Sequence, residues 1–109
     1  MNIGNEVGAD EVDSEEFFEA YNIMITKMRA AGIRVPLIID ADSWGQSSKN
    51  ILEVGPKLLQ ADPEHNLMFS IHMWWPSERH DPKATGVETV EERVTQVLEK
   101  SVELNLPLI

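Results

Sequence analysis

The stretch Leu67-Met68-Phe69-Ser70-Ile71-His72-Met73-Trp74 decides the fold, because its two sets of alternate residues suit different surroundings. Successive side chains on a strand point to opposite faces, so Leu67, Phe69, Ile71 and Met73 share one face while Met68, Ser70, His72 and Trp74 share the other. The first set is uniformly apolar and suits packing under helices. The second becomes polar towards its C-terminal end, where His72 stands near a rim. A short apolar run of this kind is what a buried parallel strand shows.

Working outward, Val35-Pro36-Leu37-Ile38-Ile39-Asp40 reads as a second such strand, with Pro36 at the start where proline is tolerated. Residues 2–6 read as the end of a strand, and Leu106-Pro107-Leu108-Ile109 as the beginning of another. Helical patterns fill the gaps. Asp13-Ser14-Glu15-Glu16 starts one, with Asp13 and Glu16 spaced as a capping box; Phe17, Tyr21, Met24, Met28 and Ala31 form its apolar row, and Gly32 supplies the stop. The polar turn 42–48 leads to a second helix over 49–60, with Gly55-Pro56 as the point where a break is expected. Asp62-Pro63 is a turn signal. After a polar loop from Pro76 to Gly86, Thr89 and Glu92 form another capping box, Val90, Val94, Val97 and Leu98 the buried stripe, and Asn105 the end.

Strand alternating with helix implies an α/β fold with a parallel sheet and crossover helices. Glu6 to Asp40 is 34 residues and Asp40 to His72 is 32. A barrel of eight βα units in about 250 residues needs about 31 per unit. Doubly wound sheets have similar units, so the period leaves both open. Residues 1–109 hold one domain without a linker, and both ends fall within strand-like runs, as expected of a chain cut on both sides.

A hydrophobic fraction of 42% arranged in blocks argues for a packed core rather than disorder. The net charge of -10 argues against nucleic acid and anionic membranes as partners, since both select a basic face. The absence of cysteine excludes disulfides and thiolate metal sites. No apolar run approaches the roughly 20 residues of a membrane span, and no signal peptide opens the sequence.

Polar residues gather where strands hand over to loops: Asn5-Glu6, Asp40 with Asp42, and His72 with Trp74. In parallel α/β proteins that C-terminal edge is where active sites are built. Each alone has an ordinary reading. Asn5-Glu6 could be turn chemistry, Asp40 and Asp42 loop-start carboxylates, His72 a hydrogen-bonded core residue, and Trp44, Trp74 and Trp75 packing. Their coincidence at three strand ends favours a site.

Three blocks, Ile3-Gly4-Asn5-Glu6, Ile38-Ile39-Asp40-Ala41 with Trp44-Gly45-Gln46, and Met68-Phe69-Ser70-Ile71-His72-Met73, resemble family-five glycoside hydrolases, the cellulase and mannanase family, in order and spacing. The Trp-Gly-Gln turn and the run into His72 are most similar to its bacterial β-mannanase branch. The resemblance implies a partial (β/α)₈ TIM barrel, from the end of the fourth strand to the start of the seventh. It implies a retaining hydrolase of a β-linked polysaccharide, of mannan or cellulose type, with no cofactor and an extracellular or periplasmic parent enzyme. By the same resemblance Glu6 matches the general acid/base, Asn5 the residue that hydrogen-bonds the sugar 2-hydroxyl, and His72 the histidine that orients the carboxylates. Trp44, Gln46 and Trp74 match substrate-binding positions. At Trp74 the family usually has tyrosine, which puts the phenol's hydrogen bond to the nucleophile in doubt. The family's nucleophile is a glutamate ending the seventh strand, and this chain stops before it at Pro107-Leu108-Ile109. The chain alone is therefore expected to be inactive, and its uncovered sheet edges to self-associate.

Two other readings stand beside this one. Trp44, Trp74 and Trp75 could form the stacking platform of a noncatalytic carbohydrate-binding or interaction module. Asp40, Asp42 and His72, with His65 or His80, could serve a metal-dependent barrel enzyme, although no His-x-x-x-His pair supports it.

Overall fold

Four chain segments lie side by side and parallel, in the order in which the sequence delivers them. The central pair is β1 (Leu37–Asp40) and β2 (Leu67–Ser70), in register from Leu37 against Leu67 to Asp40 against Ser70. Outside them, Asn2 bridges Ile38 and Leu108 bridges Phe69, each in the parallel sense. The computed structural model describes residues 1–8, 12–73 and 89–109. Around the sheet run α1 (Ser14–Ala30), the single turn α2 (Asp42–Gly45), α3 (Ser48–Ala61) and α4 (Val90–Glu103).

The two faces of β2 separate as its alternation predicts. Leu67, Phe69 and Ile71 are buried on the helix side, while Met68, Ser70 and His72 are only partly covered on the other. β1 follows the same rule with Leu37 and Ile39 at 0% exposure. Together with Ile25, Ile51 and Leu58 from the helices these residues make the core. Burying each large side chain contributes about 1.5–3 kcal/mol, enough to outweigh the weak helix preferences nearby.

Helix α3 runs unbroken through Pro56, against the expected break. A residue before proline is normally kept out of the helical region by its Cβ, and Gly55 has none. Gly55 also lets the helix sit close to the sheet: a Cβ there would lie 3.1 Å from Leu106 Cδ2 and 3.5 Å from the Phe69 ring. With Ile51, Val54 and Leu58 buried around it, packing holds the helix across the missing hydrogen bond.

The other helices differ in detail. The buried row of α1 is Phe17, Tyr21, Ile25 and Arg29, whereas Met24 and Met28 are half-buried and Ala31 is an exposed cap. Asp13 caps this helix by accepting from the Glu15 N–H, in place of the expected pairing with Glu16. Thr89 and Glu92 form the expected box: Thr89 Oγ1 accepts from Glu92 N and Glu92 Oε2 from Thr89 N. On α4 the buried residues are Val97 and Ser101, while Leu98, expected inside, is 51% exposed. Gly32 and Asn105, both at positive φ, end α1 and α4 where the sequence places the stops. Among the described residues no helix is long and apolar enough to cross a membrane.

At the N-terminal edge of the strands Arg29 and Asp62 form a buried bidentate pair, with Nε to Oδ1 at 2.8 Å and Nη2 to Oδ2 at 2.9 Å. The remaining guanidinium protons reach the carbonyls of Ile33, Val35 and Asn66, just before β1 and β2. Asp62 also accepts the Glu64 and Asn66 N–H groups. This network fixes where both strands begin.

Candidate active site

The opposite edge of the sheet collects Glu6, Asp40 and His72. Asp40 is the last residue of β1 and shares the open face with Ser70 and His72, because strand parity carries all three to one side. His72 lies two residues beyond β2, and its N–H donates to Gly45 O at 2.7 Å. One ring nitrogen, Nδ1, is 3.2 Å from Glu6 Oε1, and the other, Nε2, is 3.3 Å from Asp40 Oδ2. The same Asp40 Oδ2 accepts the Glu6 backbone N–H at 2.7 Å. Doubly protonated, the imidazole donates to both carboxylates; neutral, it donates to one and offers a lone pair to the other.

Exposure separates the roles. Asp40 is fully buried, the His72 side chain is 22% exposed and that of Glu6 38%, so Glu6 alone reaches well into solvent. Asp40 Oδ1 and Asp42 Oδ1 are buried without a hydrogen-bond partner among the described residues. Such an oxygen costs about 1–3 kcal/mol. Burial pushes the Tyr21 phenol up to about 12, reinforced by the nearby Asp40 charge, and its OH donates to Asp40 O at 3.0 Å. Tyr21 is therefore a fixed donor that steadies the end of β1.

Backbone strain concentrates at the same edge. Glu6 has φ 51°, and Ser43, Trp44 and Gly45 take φ of 51°, 60° and 78° in succession. Left-handed conformations in residues other than glycine cost about 1–3 kcal/mol and gather at functional sites. Gly45 is required twice over: its φ is positive, and a Cβ there would stand 2.7 Å from His72 Nδ1. The turn docks on the loop after Glu6 through Trp44 N–H to Gly8 O at 3.0 Å, leaving Trp44 52% exposed. Gln46 is half-buried and its carbonyl accepts from Arg93 Nη2 at 3.2 Å. Asn5 is exposed beside Glu6. Trp74, Trp75 and His80 lie outside the described residues.

Asp42 does not join the cluster. Its Oδ2 accepts from Val12 N at 2.9 Å and from Asn50 Nδ2 at 3.0 Å, tying the turn to the approach to α1. His65 is an exposed residue whose ring contacts Leu59 O. Among the described residues no group of three or more histidine, aspartate or glutamate side chains is arranged to hold a metal ion, and His80 lies outside them. An apolar cleft of about 230 Å³ lies between the segment after residue 3 and α1, lined by Ile3, Val7, Val12, Phe17 and Tyr21. His72 is not among its walls, so it is separate from this chemistry.

One family model covers the whole chain. Residues 1–109 match the cellulase model, glycosyl hydrolase family 5. The chain belongs to glycosyl hydrolase family 5. Its parallel arc is part of that family's TIM barrel, which settles the choice the strand period left open. The mannan endo-1,4-β-mannosidase of Salipaludibacillus agaradhaerens is 32% identical over 104 residues, covering 95% of this chain and 32% of that protein. The β-mannanase of Thermomonospora fusca superposes with a TM-score of 0.78 at 33% identity, over 99% of this chain and 33% of that one. A mannohexaose complex of the same enzyme superposes with a TM-score of 0.75 at 32% identity, over 99% of this chain and 33% of that one. The chain thus spans about a third of the length of these relatives.

Sequence reasoning missed Gly45 and Asn50 at the turn beside the site and the Arg29–Asp62 pair at the opposite edge. Gly45 was legible only as part of a turn, Asn50 not at all, and the Arg29–Asp62 pair only as a turn signal at Asp62. Arg29 did leave a trace: it continues the row Phe17, Tyr21, Ile25 at strict four-residue spacing, where a cation needs a buried partner.

Proposed function

We propose that this chain supplies the acid/base half of a retaining hydrolase acting on a β-linked mannan, with Glu6 as the acid/base. The observation that carries the reading is the His72 ring held between Glu6 and Asp40 at the C-terminal edge of parallel strands. Glu6 reaches solvent, where a glycosidic oxygen can meet it, while its partners are anchored in the fold.

In a retaining reaction two carboxyl groups stand roughly 5–5.5 Å apart across the scissile bond. Glu6 donates its proton to the leaving glycosidic oxygen as a second carboxylate attacks the anomeric carbon, forming a glycosyl ester and breaking the C–O bond. Glu6, now ionised, takes a proton from water, which attacks that carbon and expels the carboxylate. Mannan is preferred over cellulose because the relatives named above are β-mannanases and one is known with mannohexaose. Asn5 is assigned to the sugar 2-hydroxyl, and Trp44, Gln46 and Trp74 to sugar subsites; the exposed Trp44 on its fixed turn supports that role. The second carboxylate belongs to the two thirds of the barrel beyond this chain. An extracellular or periplasmic parent enzyme is part of this proposal, since a polymeric substrate does not cross membranes.

The test is a barrel in which residues 1–109 replace the matching third of the Thermomonospora fusca β-mannanase. Hydrolysis of mannohexaose is expected, falling by about 10³-fold or more in Glu6→Gln. A folded chimera whose rate ignores that substitution ends the acid/base assignment. The chain by itself is expected to release no reducing sugar from mannan. It is also expected to self-associate through its sheet edges and the apolar residues Leu98 and Val102 on α4, which are 51% and 77% exposed. Sedimentation showing a monomer at micromolar concentration would count against that.

A further inference from the structure

The geometry points to Asp40 as the positioning residue of this site: its Oδ2 anchors the Glu6 backbone and the Nε2 side of His72, leaving Nδ1 as the nitrogen that shares a proton with Glu6. The inference rests on reading Glu6 as the acid/base and assigns what holds it in place.

Asp40 can serve because it does not move with the loops. It is fully buried, paired with Ser70 at the end of the β1–β2 ladder, and the next residue, Ala41, donates its N–H to Ser70 O at 3.0 Å. Its Oδ2 receives the Glu6 N–H at 2.7 Å and faces His72 Nε2 at 3.3 Å. Glu6 needs such a hold, since φ 51° is a conformation it does not favour by itself. His72 is held from other sides as well, by its N–H to Gly45 O and by the space that Gly45 leaves against Nδ1.

The consequence is a fixed tautomer. An acceptor at one imidazole nitrogen places the proton there and decides what the other presents. We assign the Nε2 proton to Asp40, the fully buried of the two carboxylates at 3.3 Å, which leaves Nδ1 facing Glu6 Oε1 at 3.2 Å. When Glu6 carries its proton, Nδ1 accepts a hydrogen bond from it. After Glu6 has given that proton to the leaving oxygen, Nδ1 in its protonated form donates to the carboxylate. His72 thus meets both forms of Glu6 without rotating; the proton that Nδ1 carries beside the ionised carboxylate is taken up from solvent and is returned to it when the attacking water reprotonates Glu6. Asp40 touches neither sugar nor water in this scheme and acts only through Glu6 and His72.

The test uses the 109-residue chain with ¹⁵N-labelled histidine rings, His72 being assigned with His65→Gln and His80→Gln variants. In neutral His72, Nε2 is expected to show the shift of a protonated nitrogen and Nδ1 that of an unprotonated one. Asp40→Asn is expected to give a mixture of tautomers. A neutral His72 protonated at Nδ1, or shifts matching free histidine, would overturn the inference in the unsubstituted chain. So would an Asp40→Asn chain whose His72 shifts are unchanged. The readout is a ring nitrogen rather than turnover, so its failure is distinct from failure of the acid/base assignment, which the Glu6→Gln barrel judges.

Discussion

Two aspartates, one at each edge of the same short sheet, are both at 0% exposure, yet they do opposite things. Asp62, below the strands, has both oxygens on the Arg29 guanidinium and two backbone N–H groups besides. Asp40, above them, has the Glu6 N–H on Oδ2, with His72 Nε2 3.3 Å away, and no donor on Oδ1 among the described residues. The lower carboxylate is saturated by a full charge, as stability demands of a buried ion. The upper one is left with unspent acceptor capacity beside a histidine and a partly exposed glutamate, in a region of left-handed backbone. Burial alone does not say what an aspartate is for, and neither does a bare oxygen, which Asp42 shares; Asp40 is singled out by standing against both Glu6 and His72.

The largest expected effect tests the lower edge. Arg29→Met leaves Asp62 buried and unpaired and is expected to cost about 3–5 kcal/mol, read by urea unfolding. A loss under about 1 kcal/mol would erase the contrast between the two edges. Acid should sharpen it. The Arg29 hydrogen bonds, working against burial, hold the Asp62 carboxyl at about 2 instead of its ordinary 3.8. Because the folded value is the lower one, this stabilisation is complete above about pH 4 and fades as pH falls through about 2. It amounts to about 2 kcal/mol, measurable as the pH dependence of unfolding, and it should vanish in Arg29→Met.

At the upper edge the expected stability effects are smaller. Gly45→Ala forces a side chain onto a left-handed residue and against the His72 ring, for an expected cost of about 1–2 kcal/mol. Its clearer sign should be a displaced His72 resonance. Glu6→Gln removes a partly exposed group and is expected to change stability by less than about 1 kcal/mol while abolishing chemistry in the barrel. A Glu6→Gln loss comparable to that of Arg29→Met would make Glu6 structural.

The sequence made the upper edge more legible than the lower. Strand parity placed His72 on the open face, and the spacing of Glu6, Asp40 and His72 brought them to one rim, because both signals depend only on repeating backbone geometry. The family resemblance then supplied roles. What stayed hidden depends on packing in three dimensions. Pro56 passes through a helix because Gly55 removes the steric objection and Leu106 closes over it. The inner row of α1 ends in Arg29, whose acceptors come from segments more than thirty residues away in the case of Asp62. Leu98 matched an apolar stripe but faces out, since a periodicity of 3.6 fixes a face only to within a neighbouring residue.

The most direct test of Glu6 as acid/base uses the chimeric barrel carrying Glu6→Ala, an aryl mannoside with a good leaving group, and azide. Such a substrate needs no acid to leave, so the glycosyl ester forms and then waits for a base that is missing. Azide needs no base to attack. The account predicts that azide restores turnover and yields a mannosyl azide of retained β configuration. Turnover that azide leaves unchanged, with no such product, would contradict it.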